Sequence, residues 1–186
     1  MASLDLKKAF DRVEHASLFT VLRQQNIDDP SIALLLDMYF RQHGRVQGSR
    51  SFDISRSVRQ GDDISSLVFN AVIEYVFQRW KRRLSCHGWL LLAGVERLTN
   101  TRYADDILLY AKSFVELEQM LAMLMEELAH VGLEVHDGKT KIITSDIHNA
   151  IDFVNISDKL IEVLDCEKSH KYLGKFLNAT SIRSYL

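Results

Sequence analysis

The chain has 186 residues, 47% hydrophobic and 26% charged, with a formal net charge of -2. That supplies the core of one ordinary domain and excludes a free-standing nucleic-acid module that relies on a strongly basic surface. Cys86 and Cys166 are far apart with no CxxC pair, and the longest apolar run, "WLLLAGV" from Trp89, is too short for a bilayer. A disulfide framework, a cysteine zinc site and a membrane span are thereby excluded. The charged start "MASLDLKKAFD" is unlike a signal peptide, so the expectation is a soluble, intracellular chain.

Pro30 is the single proline, so long uninterrupted elements are expected. "SLDL" reads as a short strand. "EHASLFTVLRQQN" reads as a helix with Leu18, Val21 and Leu22 on one face. "DDPSIALLLDMYFRQHG" reads as a second helix, capped by Asp29, with Pro30 at its first position and Gly44 closing it. "RVQG" and "SFDISRSV" read as strands. Ser65 to Leu84 is apolar almost all round, the pattern of a helix buried on most sides. It ends in "RWKRR", Arg79 to Arg83, which is either a basic patch or a solvated helix end.

"TNTRYADDILLYAK" is two apolar runs around an acidic pair, the pattern of a hairpin with Asp105 and Asp106 at its turn. Phe114, Leu117, Met120, Leu121, Leu124, Leu128 and Val131 follow at helical spacing, and Gly132 stops that helix. "KIIT", "KLIEVL" and "KYLGKFL" read as closing strands. The order predicts an α+β fold, an antiparallel sheet backed by helices in a split βαβ arrangement.

Adjacent carboxylates raise each other's cost of ionisation unless solvent, a cation or a turn compensates. A bare Asp-Asp is most often a turn. Here the apolar strands on either side anchor it to a rigid sheet, as a carboxylate used for metal work must be anchored. Asp5 ends another apolar strand, one hundred residues upstream of Asp105. Three such acids at one sheet edge could hold two divalent cations for phosphoryl transfer. Hard oxygen ligands favour Mg²⁺.

"DLKKAFDRVEHASL", "RSVRQGDDISSLVFNAVIE", "YADDILLYA" and "GLEVHDGKTKIIT" occur in this order. They resemble motifs A to D of reverse transcriptases, in particular those of non-LTR (LINE-like) retrotransposons, and "HKYLGKFL" is similar to the strand and turn that follow there. The resemblance runs from about Leu4 to Leu177. It implies a polymerase palm that extends a DNA primer on an RNA template with deoxynucleoside triphosphates, using two Mg²⁺ or Mn²⁺ ions.

It also implies roles. Asp5, Asp105 and Asp106 match the metal-binding acids, with Leu6 beside the first at the metal and substrate position. Phe10 matches the bulky residue at the sugar 2′ position, against a plain reading as a core aromatic. Gln60 and Gly61 match the "QG" that meets sugar or base, and Arg59 could meet phosphate. Tyr103 either packs near the primer end or fills a strand. Lys139 matches the cation near the departing phosphates, or is simply a solvated lysine. Asp11 reads as structural, a helix cap, and His15 and His170 as capping or surface residues.

Departures from the pattern stand beside these matches. Asp63, Ile64, Ser65 and Ser66 replace the usual Pro-Leu-Ser-Pro, and His136 stands where Asn is common. The family's fingers lie upstream of motif A and its thumb after the last strand, so residues 1–186 read as a single palm domain without either. The competing reading is a non-catalytic palm remnant that binds nucleic acid or protein.

Overall fold

The computed structural model describes the chain except residues 41–42, 49, 59–62, 91–96, 145–150, 166–167 and 179–186. The elements begin with β1 (Ala2–Leu4), α1 (Ala9–Arg12), α2 (His15–Gln24), α3 (Asp29–Phe40), β2 (His43–Gly44) and β3 (Phe52–Asp53). Next come α4 (Asp63–Arg83), β4 (Trp89–Leu90), β5 (Arg97–Leu98), β6 (Asn100–Tyr103), β7 (Asp106–Leu109) and α5 (Phe114–Ala129). The last are β8 (Lys141–Ile143), β9 (Phe153–Ile156), β10 (Lys159–Leu164), β11 (His170–Tyr172) and β12 (Lys175–Leu177). They fall into two compact units. One comprises Met1–Lys7, Arg82–Glu126 and Glu134–Leu186, the other Lys8–Lys81 and Glu127–Leu133.

The first unit holds a six-stranded sheet in the order β6-β7-β1-β8-β10-β9. β1 is its antiparallel centre, with Ala2 opposite both Leu109 and Ile142. The sheet is antiparallel apart from the β8–β10 pair. Strand alternation sorts the residues. Ala2, Leu4, Ile107, Leu109, Ile142, Ile161 and Val163 form one fully apolar, buried face, and α5 adds Leu117, Met120, Leu121 and Leu124 to this core. On the other face Met1, Leu108, Ile143 and Leu164 cluster, and Tyr110, Tyr172 and Leu177 pack on them. The β11–β12 hairpin therefore covers part of this second face.

β9 escaped the sequence reading. Its hairpin with β10 turns on Ser157 and Asp158 at φ 50° and 62°, left-handed values usually signalled by Asn-Gly rather than Ser-Asp. Ser113 caps α5, its hydroxyl accepting the Glu116 amide at 3.2 Å, while the Glu116 carboxylate accepts the Lys112 amide at 2.8 Å.

In the second unit, Leu18, Val21 and Leu22 are buried as the α2 pattern predicts. α4 buries Val68, Phe69, Val72, Ile73, Val76, Phe77 and Trp80 but leaves Leu67 exposed, so one side of it is open. The α5 helix stops at Gly132 (φ 80°), where Leu133 N–H bonds back to Leu128 O and Gly132 N–H to Ala129 O in a Schellman motif.

Several local expectations are corrected. Asp28, not Asp29, caps α3: its carboxylate accepts the Ser31 amide at 2.9 Å, while Asp29 pairs with Arg23. Gly44 lies in β2 instead of closing α3, and only Phe52–Asp53 of "SFDISRSV" is strand. "RVQG" is turn and coil among the described residues. Asp11 is no cap, since it lies within α1 and is exposed. His15 is buried; its Nε2 meets Ser57 O at 2.7 Å and its ring stands 5.5 Å from Tyr39.

Candidate active site

The site belongs to the first unit and follows from strand alternation. Ser3 and Asp5 share the face of Leu108 and Asp106, because β1 and β7 pair Ser3 with Leu108 and Leu4 with Ile107. Asp5 follows β1 directly and Asp106 opens β7, so both carboxylates come to the same strand ends. They line one cavity of about 340 Å³ with Ser3, Gly138, Lys139, Lys141, His170 and Tyr172.

The hairpin divides the acidic pair. Ala104 (φ 52°) and Asp105 form the turn, and Asp106 is the first residue of β7, opposite Tyr103. Tyr103 is exposed. Burial pushes the Asp106 carboxyl above its ordinary range, and the charges of Asp105 and then Asp5 push it further, while His170 opposes them. Negative charge on Asp106 is thus disfavoured by its surroundings.

The segment after Gly132 wraps the first acid. Leu6 bridges to Val135, His136 N–H donates to Asp5 O at 2.8 Å, and Asp5 N–H donates to Thr140 Oγ1 at 3.3 Å. The His136 contact uses the backbone and so does not depend on the imidazole. Lys139 Nζ then lies 3.6 Å from Asp5 Oδ2. With the Lys139 side chain 63% exposed, that pair is worth about 0–1 kcal/mol and is readily exchanged for another cation.

His170 and Tyr172 are additions that the linear sequence hid. His170, expected to cap or lie on the surface, instead lines the cavity with its Nε2 3.0 Å from Ser3 Oγ. Burial, then Lys141, lowers its pKa. Tyr172 donates its hydroxyl to Asp106 O at 3.4 Å, and burial raises its pKa. The period-2 spacing of "HKY" sets both on one face, but only the fold shows which acids they meet.

Phe10 lies in the second unit, partly exposed, stacked on Phe69. Arg59, Gln60 and Gly61 lie outside the described residues. Of the basic run, Arg79 pairs with Glu127 at 2.6 Å and Arg83 with Glu126 at 2.7 Å, so much of its charge is spent on α5.

The donor set fits a hard divalent cation: two carboxylates at adjacent strand ends, one with its ionisation hindered by the others. Among the described residues no group of three or more Asp, Glu, His or Cys side chains is arranged to hold an ion unaided.

A mixed sheet carrying acids at paired strand ends is the architecture of a template-directed polymerase palm. The telomerase of Candida albicans, solved with a fragment of telomeric RNA, shares this fold at a TM-score of 0.60 and 15% identity, covering 87% of this chain and 29% of that one. Residues 1–177 match the family model described as reverse transcriptase (RNA-dependent DNA polymerase), and the chain belongs to that family. It is 30% identical over 194 residues to the Pol polyprotein of the type-1 retrotransposable element R2 of Nasonia vitripennis, covering 96% of this chain and 18% of the relative. An R2 Pol polyprotein of Popillia japonica is 27% identical, over 95% of this chain and 26% of its own length. The chain spans about a quarter or less of these relatives. No described helix is long and apolar enough to cross a membrane.

Proposed function

We propose that this chain is the palm of a longer retroelement polymerase, which extends a DNA primer on an RNA template with deoxynucleoside triphosphates. The observation that carries the reading is the cavity shared by Asp5 and Asp106 at the ends of two paired strands. Fingers before the palm and a thumb after it would supply the grip on triphosphate and duplex.

Asp5, Asp105 and Asp106, with Leu6 beside the first, would hold two Mg²⁺ or Mn²⁺ ions. Such ions, when bound, activate the primer 3′-hydroxyl and steady the leaving pyrophosphate. The chain's own residues do the rest. Asp5 and Asp106 keep two anionic groups at fixed strand ends, so little reorganisation is needed when charge moves. Lys139 is an exposed cation for the departing phosphates. In this reading Phe10 crowds the sugar 2′ position, Gly61 permits close backbone approach, Gln60 meets sugar or base, Arg59 meets phosphate, and Tyr103 packs by the primer end.

The test is primer extension by the chain joined to the flanking segments of an R2 relative, on RNA and on DNA templates. Extension on RNA with deoxynucleotides is expected, with little or none from the 186-residue chain alone. A flanked chain that folds and binds primer–template but never extends it would favour a non-catalytic remnant, the reading suggested by Asp63–Ser66 in place of the usual prolines.

A further inference from the structure

Phe10 and Phe69 stack with ring centroids 4.5 Å apart and planes 22° from parallel. Phe69 is fully buried in α4, whereas the Phe10 ring is partly exposed. The Phe10 backbone is held as well, since its carbonyl accepts the Val58 amide at 2.7 Å, and Val58 is itself buried. α1, which carries Phe10, is only four residues long, follows Lys8 in a left-handed conformation (φ 45°) and has no side-chain cap. A single turn of that kind has no stability of its own. Its outermost aromatic ring takes its orientation from what lies beneath.

We infer that Phe69 is a positioning residue for sugar selection: its ring sets the plane and height of Phe10, and thereby the space left at the nucleotide 2′ position. This rests on the proposed gate role of Phe10. A stacked ring offers one flat, rigid support, and a branched aliphatic chain of smaller area does not. Replacing Phe69 by Leu leaves the gate residue in place but lets it settle or tilt. The expected consequence is wider tolerance of a 2′-hydroxyl, milder than deleting the gate itself. Phe77 provides the control. It is equally buried on the same helix, but its aromatic partner is Trp80, edge-on at 5.3 Å.

Two measurements test this. In the chain completed by flanking segments, the ratio of ribo- to deoxynucleotide incorporation is compared for Phe10→Ala, Phe69→Leu and Phe77→Leu. We expect Phe10→Ala to raise the ratio most, Phe69→Leu to raise it about tenfold, a size typical of small changes of pocket shape, and Phe77→Leu to leave it unchanged. If Phe10→Ala relaxes selection and Phe69→Leu does not, the inference fails and the gate stands. If Phe10→Ala has no effect, the gate reading fails and takes the inference with it. An equal rise with Phe77→Leu would assign the effect to general loosening and overturn the inference.

The second measurement needs no activity. In the 186-residue chain with Trp80 and Trp89 replaced by Phe, a Phe10→Trp reporter should become more accessible to acrylamide quenching when Phe69→Leu is added, and not when Phe77→Leu is added. Identical quenching in all three proteins overturns the inference.

Discussion

Asp5 and Asp106 stand at the same end of the β1–β7 pair, one residue beyond the Leu4–Ile107 register pair, and line one cavity. Nothing in the local sequence joins them. The register does, and a slip of one residue on either strand would send one carboxylate to the apolar face. The Lys139 ammonium beside Asp5 offsets part of their charge, weakly.

The first prediction follows from the charge left uncompensated. Mg²⁺ or Mn²⁺ should raise the melting temperature of the chain, by the equivalent of about 1.4 kcal/mol when the ion is at ten times its Kd. Asp106→Asn and Asp105→Asn should each shrink the gain. Melting curves that Mn²⁺ moves equally in wild type and both variants would locate the binding elsewhere.

Gly132 carries a second prediction. Its φ of 80° is left-handed, and a Cβ there would come within 2.6 Å of Glu14 Cγ and 2.8 Å of Arg12 O. Gly132→Ala should cost about 1–3 kcal/mol, from backbone strain together with the clash against a fixed carbonyl. Urea melts will read this as a lower midpoint at unchanged slope; an equal midpoint would mean that the Schellman turn is not maintained.

Much of this was legible in the sequence, for identifiable reasons. β1, the β6–β7 hairpin, α5 and its Gly132 stop are each written in local periodicity and turn chemistry. Asp28 and Asp29 are adjacent candidates for one cap, and only the hydrogen bonds to Ser31 distinguish them. His15 and His170 were misread because burial of a histidine depends on which distant chain covers it. Ser3 and Ser57 are 167 and 42 residues from their histidine partners. Asp5 and Asp106 were legible as acids at the ends of apolar strands, whereas Lys139 was legible only as a member of an ordered motif, since no local pattern ties it to a residue as distant as Asp5.

The third prediction concerns Glu134. Hydrogen bonds from Lys159 and then Lys7 hold its carboxyl down at about 2, from an ordinary 4.5. Its contribution is present above pH 4.5 and is lost as the pH falls toward 2. The carboxylate is 32% exposed, so Glu134→Gln should cost only about 1 kcal/mol at neutral pH. That cost should fade in acid. A cost that persists unchanged at pH 2 would assign it to packing instead of charge.

The most direct test of the central claim is single-nucleotide incorporation by the chain completed with flanking segments. Wild type is compared with Asp5→Asn, Asp106→Asn and, as an exposed acid outside the cavity, Asp11→Asn. If Asp5 and Asp106 form the catalytic edge, each of their variants should lose at least about 100-fold in rate with primer–template affinity retained, while Asp11→Asn stays within a few-fold of wild type. Incorporation by Asp5→Asn or Asp106→Asn at the wild-type rate would contradict the account.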